Sequence, residues 1–149
     1  MQEYPHYYSV SASAEWEGHV SHASPGLDSF LSAPPAEFDG PGDLWSPETL
    51  LVASVAGCFI LSFRGIARAS RLDWLSLDCD VRSTLTRVDR KTRFTDFEIN
   101  ATLYVPRDTS EEKAHRLLRK AEAGCLITNS LSASTHLSAA VVTKAQPAG

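Results

Sequence analysis

The segment SPETLLVASVAGCFILSFRGIARASRL, Ser46–Leu72, decides the fold, because it predicts one long helix with a cysteine at its middle. The Ser-Pro pair at its start is typical of a helix N-terminus: the serine hydroxyl accepts from a free backbone N–H, and proline in the first turn sacrifices no hydrogen bond. Apolar residues surround the helix on all sides as far as Phe63, which indicates a buried helix rather than an amphipathic one. We therefore predict a long buried helix from about residue 47 to residue 70, with Cys58 in its middle.

The same segment raises the question of a membrane span. No charge lies between Glu48 and Arg64, so the uncharged run is residues 49–63. Fifteen residues are fewer than the ~20 needed to cross a bilayer. The run therefore favours a core helix of a soluble fold, and we expect no membrane partner.

Composition and charge narrow the class of protein. The chain has 149 residues, 43% hydrophobic and 21% charged, which suits one compact domain over residues 1–149, with an N-terminal strand and long loop (1–45) and a core (46–145). Eighteen acidic and fourteen basic residues give a net charge of −4 with no Lys/Arg cluster, so we expect no nucleic-acid partner. No signal peptide is visible at the N-terminus, and we expect a cytoplasmic protein.

The order of elements predicts an α+β domain with helices laid on an antiparallel sheet. Alternation over residues 8–16 indicates a half-buried strand, and the Gly- and Pro-rich stretch that follows is mostly loop with one or two short edge strands. Two alternating runs around the polar VDRKT turn form a long hairpin. A second, amphipathic helix follows, then a closing strand and a loose QPAG tail. The second helix is indicated by a cap at Asp108 or Thr109, by Glu111 and Glu112 in its first turn and by Gly124 at its end. Its apolar stripe is Ala114, Leu117, Leu118 and Ala121.

Three cysteines, Cys58, Cys79 and Cys125, are too few and too far apart for a secreted disulfide framework. Cys79 lies on the apolar side of a predicted strand, and packing in the core is enough to explain its presence there. Cys58 is either a small core residue or a reactive thiol, since free cysteines are often buried. Cys125 follows a helix end and is more reachable. Cys58 and Cys125 could act as a peroxidatic and resolving pair if the fold brings them together, which the sequence does not show.

These motifs resemble the OsmC/Ohr family. The segment SPETLLVASVAGCF has the family's "PE-L" helix start with a cysteine ten residues after the Glu, and GCLITNSL about seventy residues on matches its second cysteine motif. The resemblance extends from about residue 14 to residue 142. It implies an OsmC-like fold that forms an obligate, intertwined homodimer with two thiol sites in clefts at the interface.

The resemblance also implies an activity: reduction of organic hydroperoxides, with Cys58 as nucleophile, Cys125 as resolver and a lipoyl or other dithiol as external reductant, without a bound cofactor. Glu48 matches the family's site carboxylate. On a straight helix it lies about 15 Å from Cys58, at ~1.5 Å per residue, so the two cannot touch within the helix. Glu48 is equally explained as a first-turn acid that complements the helix dipole.

Two departures from the family pattern affect the expected chemistry. The arginine that holds the nucleophile as thiolate in the peroxidase branches is missing, because the first arginine of the chain is Arg64. His19 or His22 could replace it as a cation, or could simply face solvent. Without a cation we expect the pKa of Cys58 at or above the ~8.5 of a free thiol, with burial raising it further and no helix N-terminus to lower it. In addition, Leu126 stands where family members have proline after the resolving cysteine.

Two hypotheses follow from the sequence. The first is a thiol peroxidase for organic hydroperoxides, motivated by the cysteine pair, in which an apolar cleft favours an organic peroxide over a small one. The second is a catalytically weak dimer that binds an apolar small molecule in the interface cleft, motivated by the missing arginine. A zinc site lacks ligands at short regular spacing, and Ser-His-Asp hydrolysis lacks a GxSxG motif, so neither is favoured.

Overall fold

The computed structural model describes residues 1–145, and the predicted QPAG tail lies outside the described residues. Backbone contacts divide the chain into two compact units, Met1–Leu51 and a second unit from Val52 onward. The long helix begins in the first unit and continues in the second. The prediction of one domain over residues 1–149 stays a prediction.

The first unit contains a three-stranded antiparallel meander. Its strands are β1 (Ser11–Ser13), β2 (Val20–Ala23) and β3 (Phe30–Ser32), in the order β1-β2-β3. The two short strands predicted inside the loop are therefore confirmed. The prediction of a half-buried strand over residues 8–16 is wrong, because β1 has three residues and all of them are exposed. Alternation indicates an extended chain, but burial needs a second layer that the unit does not supply.

A loop over residues 33–45, whose two ends are hydrogen-bonded to each other, connects the meander to the long helix. The backbone N–H of Ala33 donates to the carbonyl of Trp45 at 3.0 Å, and a short 3-10 helix, Ala36–Phe38, lies between them. Gly40 closes this turn: a Cβ added there would lie 1.7 Å from the carbonyl oxygen of Pro34, so only glycine fits. Ser46 then caps the helix as predicted, since its Oγ accepts from the N–H of Thr49 at 3.1 Å.

Helix α1 spans Pro47–Ala69, one residue short of the predicted end. Its fully buried side chains form a single stripe at four-residue spacing: Val55, Phe59, Phe63 and Ala67. The prediction of a helix buried on all sides is wrong for the single subunit, since Leu61 is 61% exposed. Helix α1 therefore carries more apolar side chains than a single subunit buries.

The argument from length against a membrane span does not hold for α1 as formed. The helix has 23 residues, and its most apolar 18-residue window has a mean hydropathy of 2.0 with 22% of that window buried, so length and composition would allow a span. Such a helix also occurs in the core of soluble proteins, and α1 keeps one completely buried stripe. The expectation of no membrane partner stays a prediction.

The second unit is built on a long hairpin of β4 (Ser76–Val88) and β5 (Lys91–Pro106), as predicted. Asp89 and Arg90 form its two-residue turn, and both have positive φ, 50° and 67°. This is the conformation of a type I′ turn, whose twist matches the flanking strands. On β5, alternate residues are buried: Phe97, Ile99, Ala101, Leu103 and Val105.

The last strand, β6 (Ser134–Lys144), pairs with β5 in parallel, in the order β4-β5-β6. This second sheet is therefore mixed, and within it the prediction of an antiparallel sheet holds only for the β4-β5 hairpin. The reason is the connection: helix α2 (Glu111–Ala123) lies between β5 and β6 and packs on β6, and a strand-helix-strand crossover returns the chain in the same direction. A period of two predicts a strand but not its direction. The α+β class is confirmed.

Helix α2 buries the predicted stripe of Ala114, Leu117, Leu118 and Ala121 and ends at Gly124. Its cap is Ser110, whose Oγ accepts from the N–H of Lys113 at 3.1 Å. The prediction of Asp108 or Thr109 as cap is wrong; Asp108 has φ 71° and belongs to the turn before the helix. A one-turn helix, α3 (Leu126–Asn129), follows directly, with Cys125 at its N-cap position.

Two contacts fix the C-terminal end of α1 within the second unit. Phe63 packs edge to face on Trp74, with ring centroids 5.4 Å apart. Lys113 Nζ donates to the carbonyl of Ser70 at 2.7 Å, so a cation meets a free carbonyl at a helix end. These contacts hold the helix that carries Cys58 against the α2 region.

The hairpin turn offers a test of the fold. Because a residue with a Cβ is disfavoured at positive φ, Arg90→Gly should raise the free energy of unfolding by about 0.5–1 kcal/mol. Arg87→Gly, in the extended part of β4, should instead lower it, because glycine weakens a strand. Urea denaturation measures both values. A destabilised Arg90→Gly protein would contradict the type I′ turn.

Candidate thiol site

The structure places two of the three predicted site residues together. Cys58 lies on α1 and is half-buried, whereas Cys125, at the start of α3, is completely buried. Both thiols are free, and the Cys125 S–H donates a hydrogen bond to the sulfur of Cys58. The proximity that the sequence left open is therefore present within one subunit. The burial expected for Cys58 is only partial in this subunit.

The surroundings of Cys58 favour its thiolate. Burial by itself would raise the pKa of Cys58, but hydrogen bonds to its sulfur outweigh it and hold the pKa below the ordinary value. The donors are the backbone N–H of Ile127, the thiol of Cys125, the hydroxyl of Ser62 at 3.8 Å and the N–H of Leu126. The rise expected from burial is outweighed, because hydrogen bonds that include the backbone N–H groups of Ile127 and Leu126 lower the pKa of Cys58.

Leu126 supplies a backbone N–H that proline at this position would lack. Proline has no backbone N–H, so the proline expected after the second cysteine could not donate from this position. Leucine retains the N–H, and it is one of the donors that lower the pKa of Cys58. Leu126 is itself 67% exposed, so its side chain contributes little to the core. The departure from the family pattern therefore adds a donor at the site that lacks an arginine.

The other two thiols are shifted in the opposite direction. Burial raises the pKa of Cys125, and the adjacent Cys58 sulfur raises it further against the effect of Thr128. On β4, burial, the charge of Asp80 and the neighbouring Cys125 raise the pKa of Cys79 to about 11. The site therefore has one thiol whose pKa is lowered and two thiols whose pKa values are raised.

Glu48 belongs to the first unit, Met1–Leu51. It follows Pro47 in the first turn of α1, and one of its carboxylate oxygens is buried without a hydrogen-bond partner among the described residues. His19 is exposed, as expected for a solvent-facing loop residue. His22 is not: it is half-buried on β2, hydrogen-bonds the Ser32 hydroxyl at 2.6 Å and stacks on Phe30.

Sequence reasoning missed the donors to Cys58. Ser62 could have been found, because residues four apart on a helix are neighbours. The backbone donors of α3 carry no side-chain signal, and only the fold brings them to α1. Metal chemistry has no visible site: residues 1–145 contain no group of three or more His, Cys, Asp or Glu side chains placed to hold an ion.

An α+β subunit with two adjacent free thiols, one on a long helix and one at the start of a short helix, defines a class of two-cysteine thiol proteins. The family model described as OsmC-like protein matches residues 40–139. The chain belongs to the OsmC family. This family, often called OsmC/Ohr, includes organic hydroperoxide resistance proteins.

Individual relatives are distant in sequence, and the solved structures among them share the fold. The uncharacterized protein YmaD of Bacillus subtilis is 24% identical over 106 residues, which cover 69% of this chain and 71% of YmaD. An OsmC-like protein of unknown function from Vibrio cholerae superposes with a TM-score of 0.82 at 16% identity, over 91% of this chain and 99% of that one. The organic hydroperoxide resistance protein OsmC from Legionella pneumophila superposes with a TM-score of 0.73 at 22% identity, over 94% of this chain and 99% of that one.

The pKa differences predict a reactivity order. Iodoacetamide should alkylate Cys58 half-maximally at a lower pH than the other two thiols, because its pKa is lowered, and Cys79 only near pH 11. Leu126→Pro should move the Cys58 midpoint to higher pH, because it removes one N–H while proline remains compatible with the first position of a helix. Rates read by peptide mass spectrometry measure each cysteine separately.

Leu126→Ala is the matched control for this shift. It removes the same side chain but keeps the N–H, so its midpoint should equal that of the unmodified protein. Equal shifts in the proline and alanine variants would show that the side chain, and not the backbone donor, sets the reactivity of Cys58.

Proposed function

We propose that this protein is a thiol peroxidase that reduces organic hydroperoxides, with Cys58 as nucleophile and Cys125 as resolving cysteine. The supporting observation is the adjacent thiol pair with opposite pKa shifts. Cys58 is half-buried, so a peroxide can reach its sulfur, and its lowered pKa favours the thiolate relative to an ordinary thiol. Cys125 is buried and stays protonated beside it. Such a pair suits attack by one sulfur and condensation by the other.

The reaction proceeds in two steps on the enzyme. The Cys58 thiolate attacks the terminal oxygen of ROOH, the O–O bond breaks, and with one proton taken up the alcohol ROH leaves while Cys58 becomes a sulfenic acid. The Cys125 sulfur then attacks the Cys58 sulfur, an S–S bond forms, and hydroxide takes the thiol proton and leaves as water. The hydroperoxide is reduced by two electrons and the two cysteines are oxidised by two.

An external dithiol would complete the cycle. Two thiols of a lipoyl or similar reductant reduce the Cys58–Cys125 disulfide by exchange and become a disulfide themselves. Cys58 is the more exposed of the two sulfurs, which makes it the accessible point of attack. We place this cycle in the cytoplasm, where cellular reductants keep thiols free.

The preference for an organic peroxide rests on the apolar surface near the nucleophile. Leu61, one turn after Cys58 on α1, is largely exposed. An apolar peroxide gains by covering such surface, whereas hydrogen peroxide does not. We include Glu48 as the site carboxylate by its position in the family motif alone.

We further propose that the functional form is an intertwined homodimer, as is general in the family. On α1 the side opposite the buried stripe is exposed and made of small or apolar residues, namely Ala53, Gly57, Leu61 and Gly65. A Cβ added at either glycine would meet nothing within 4 Å in the subunit. Helix-weakening glycines on an uncovered apolar face are explained if a second chain packs closely there.

The first test of the activity is single-turnover oxidation of the reduced protein at pH 7. Cumene hydroperoxide should remove two thiols per subunit rapidly, and hydrogen peroxide should act at least tenfold more slowly. Cys58→Ser should abolish the fast loss, because it removes the nucleophile. Cys125→Ser should lose a single thiol and accumulate a sulfenic acid that dimedone traps.

Cys79→Ser is the matched control, because it removes the third thiol but neither member of the pair, and it should leave the two-thiol loss unchanged. Slow loss without preference between the peroxides would reject the peroxidase and favour the alternative, a dimer that binds an apolar small molecule. A fast reaction without a Cys58–Cys125 disulfide in the peptide map would remove the resolving role.

The dimer has its own test. Leu61→Lys places a charge on the exposed face of α1, which costs little in a lone subunit but opposes burial against a second chain. The variant should sediment mainly as monomer at a concentration where the unmodified protein is a dimer. Leu85→Lys, at a residue that is 36% exposed on β4, is the control and should stay dimeric. An unmodified protein that sediments as a monomer would reject the dimer.

A further inference from the structure

The second unit contains a polar cavity between the end of α1 and the start of α2. Its volume is about 480 Å³, within the ~300–1,000 Å³ of ordinary ligand sites. Residues 71–73 line it on the α1 side, and residues 106–110 with Lys113 line it on the α2 side. Neither Cys58 nor Cys125 is among the lining residues, so the cavity is not part of the thiol site.

Arg71, at the edge of this cavity, occupies a backbone position at which glycine is preferred. The N–H of Leu72 donates to the carbonyl of Ala67 at 2.9 Å, and the N–H of the preceding residue donates to the carbonyl of Arg68 at 3.2 Å. This pair of bonds is the Schellman motif, which ends many helices and usually places glycine in the left-handed conformation. Arg71 has φ 53° there, although a side chain at positive φ costs stability. The helix end therefore does not explain the arginine, and a role of its side chain does.

Three cationic side chains line the cavity: Arg71, Arg107 and Lys113. Within residues 1–145, none of the three forms an ion pair with a carboxylate. Lys113 Nζ donates to the carbonyl of Ser70 at 2.7 Å, which fixes its position and leaves two of its three N–H groups for a ligand. Each guanidinium has five N–H donors in a planar fork that suits the oxygens of an anion. The cavity therefore has several cationic donors available to an anionic ligand.

Two carboxylates, Asp73 and Asp108, also line the cavity. Neither forms an ion pair with another residue that the structure describes. The three cations outnumber them, so the charge of the lining still favours an anion. Glu111 and Glu112, in the first turn of α2, are exposed and are not among the lining residues. Carboxylates accept hydrogen bonds only, so the two aspartates suit a ligand that also has hydroxyl groups.

We propose that this cavity binds a small organic phosphate whose carbon body carries hydroxyl groups. The phosphate oxygens accept hydrogen bonds from Arg71, Arg107 and Lys113, and the hydroxyl groups donate to Asp73 and Asp108. A phosphate monoester has three terminal oxygens, one for each cationic group, whereas a carboxylate has two. An uncharged ligand would leave all three cations without a partner. This proposal is independent of the peroxidase activity.

Glycerol 3-phosphate is the probe, titrated into the whole protein by calorimetry at pH 8, where its phosphate carries two negative charges. Binding should be saturable and should weaken as the salt concentration rises, because both arginines are exposed. Glycerol should bind at least tenfold more weakly, because it lacks the charge that the cations attract. Inorganic phosphate should bind at least threefold more weakly, because it has no carbon-bound hydroxyl groups for the two aspartates.

Arg71→Gly separates binding from folding. The variant should bind the probe at least tenfold more weakly, because it loses a guanidinium, and should melt about 1–4 °C higher, because glycine suits the positive φ. A purely structural role of Arg71 would not change binding and stability in opposite directions. Arg68→Gln is the matched control, because it changes an exposed arginine of α1 outside the cavity, and it should alter the affinity less than twofold.

Arg107→Gln tests the other side of the cavity. It should also weaken the affinity at least tenfold, because it removes a second guanidinium from the phosphate. Circular dichroism checks that each variant is folded, and no measurement involves a peroxide or a thiol, so failure of the peroxidase proposal would not affect them. The proposal is overturned if glycerol or inorganic phosphate binds as tightly as glycerol 3-phosphate, or if both arginine variants keep the affinity of the unmodified protein.

Discussion

The lowered pKa of Cys58 depends on hydrogen bonds from backbone N–H groups at the start of α3. Those groups are free because the first turn of a helix has no internal acceptors for them. They reach the sulfur only if α1 and α3 are held side by side. The edge-to-face contact of Phe63 with Trp74 and the bond from Lys113 to the Ser70 carbonyl serve that purpose at the end of α1.

Stabilising a thiolate with neutral donors differs from stabilising it with an arginine. A guanidinium acts over several ångströms, and salt screens its charge where it is exposed. A backbone donor acts only at contact and depends on the orientation of its peptide. The site therefore relies on position more than on charge, and Leu126 fits this arrangement because leucine keeps the donor that proline lacks. The neighbouring thiol adds to it, since protonated Cys125 donates to Cys58.

The charged residues are distributed unequally between the two units. The first unit contains eight of the eighteen carboxylates and none of the fourteen Lys and Arg residues. Glu48, the glutamate of the family motif, lies at the edge of an apolar pocket of this unit, and its Oε2 atom has no hydrogen-bond partner among the described residues. The carboxylates of the first unit therefore have no Lys or Arg of their own unit to pair with.

Local patterns in the sequence determined much of this protein. Capping at Ser46, the buried stripe of α2, the hairpin and its polar turn, and the two cysteines of the family motif were all predictable, because each depends on residues within a few positions. Tertiary structure alone decided the parallel direction of β6, the proximity of Cys58 and Cys125, and the lowered pKa of Cys58. Strand direction depends on a crossover, and the thiol pKa on peptide groups about seventy residues away, neither of which leaves a periodic signal in the chain.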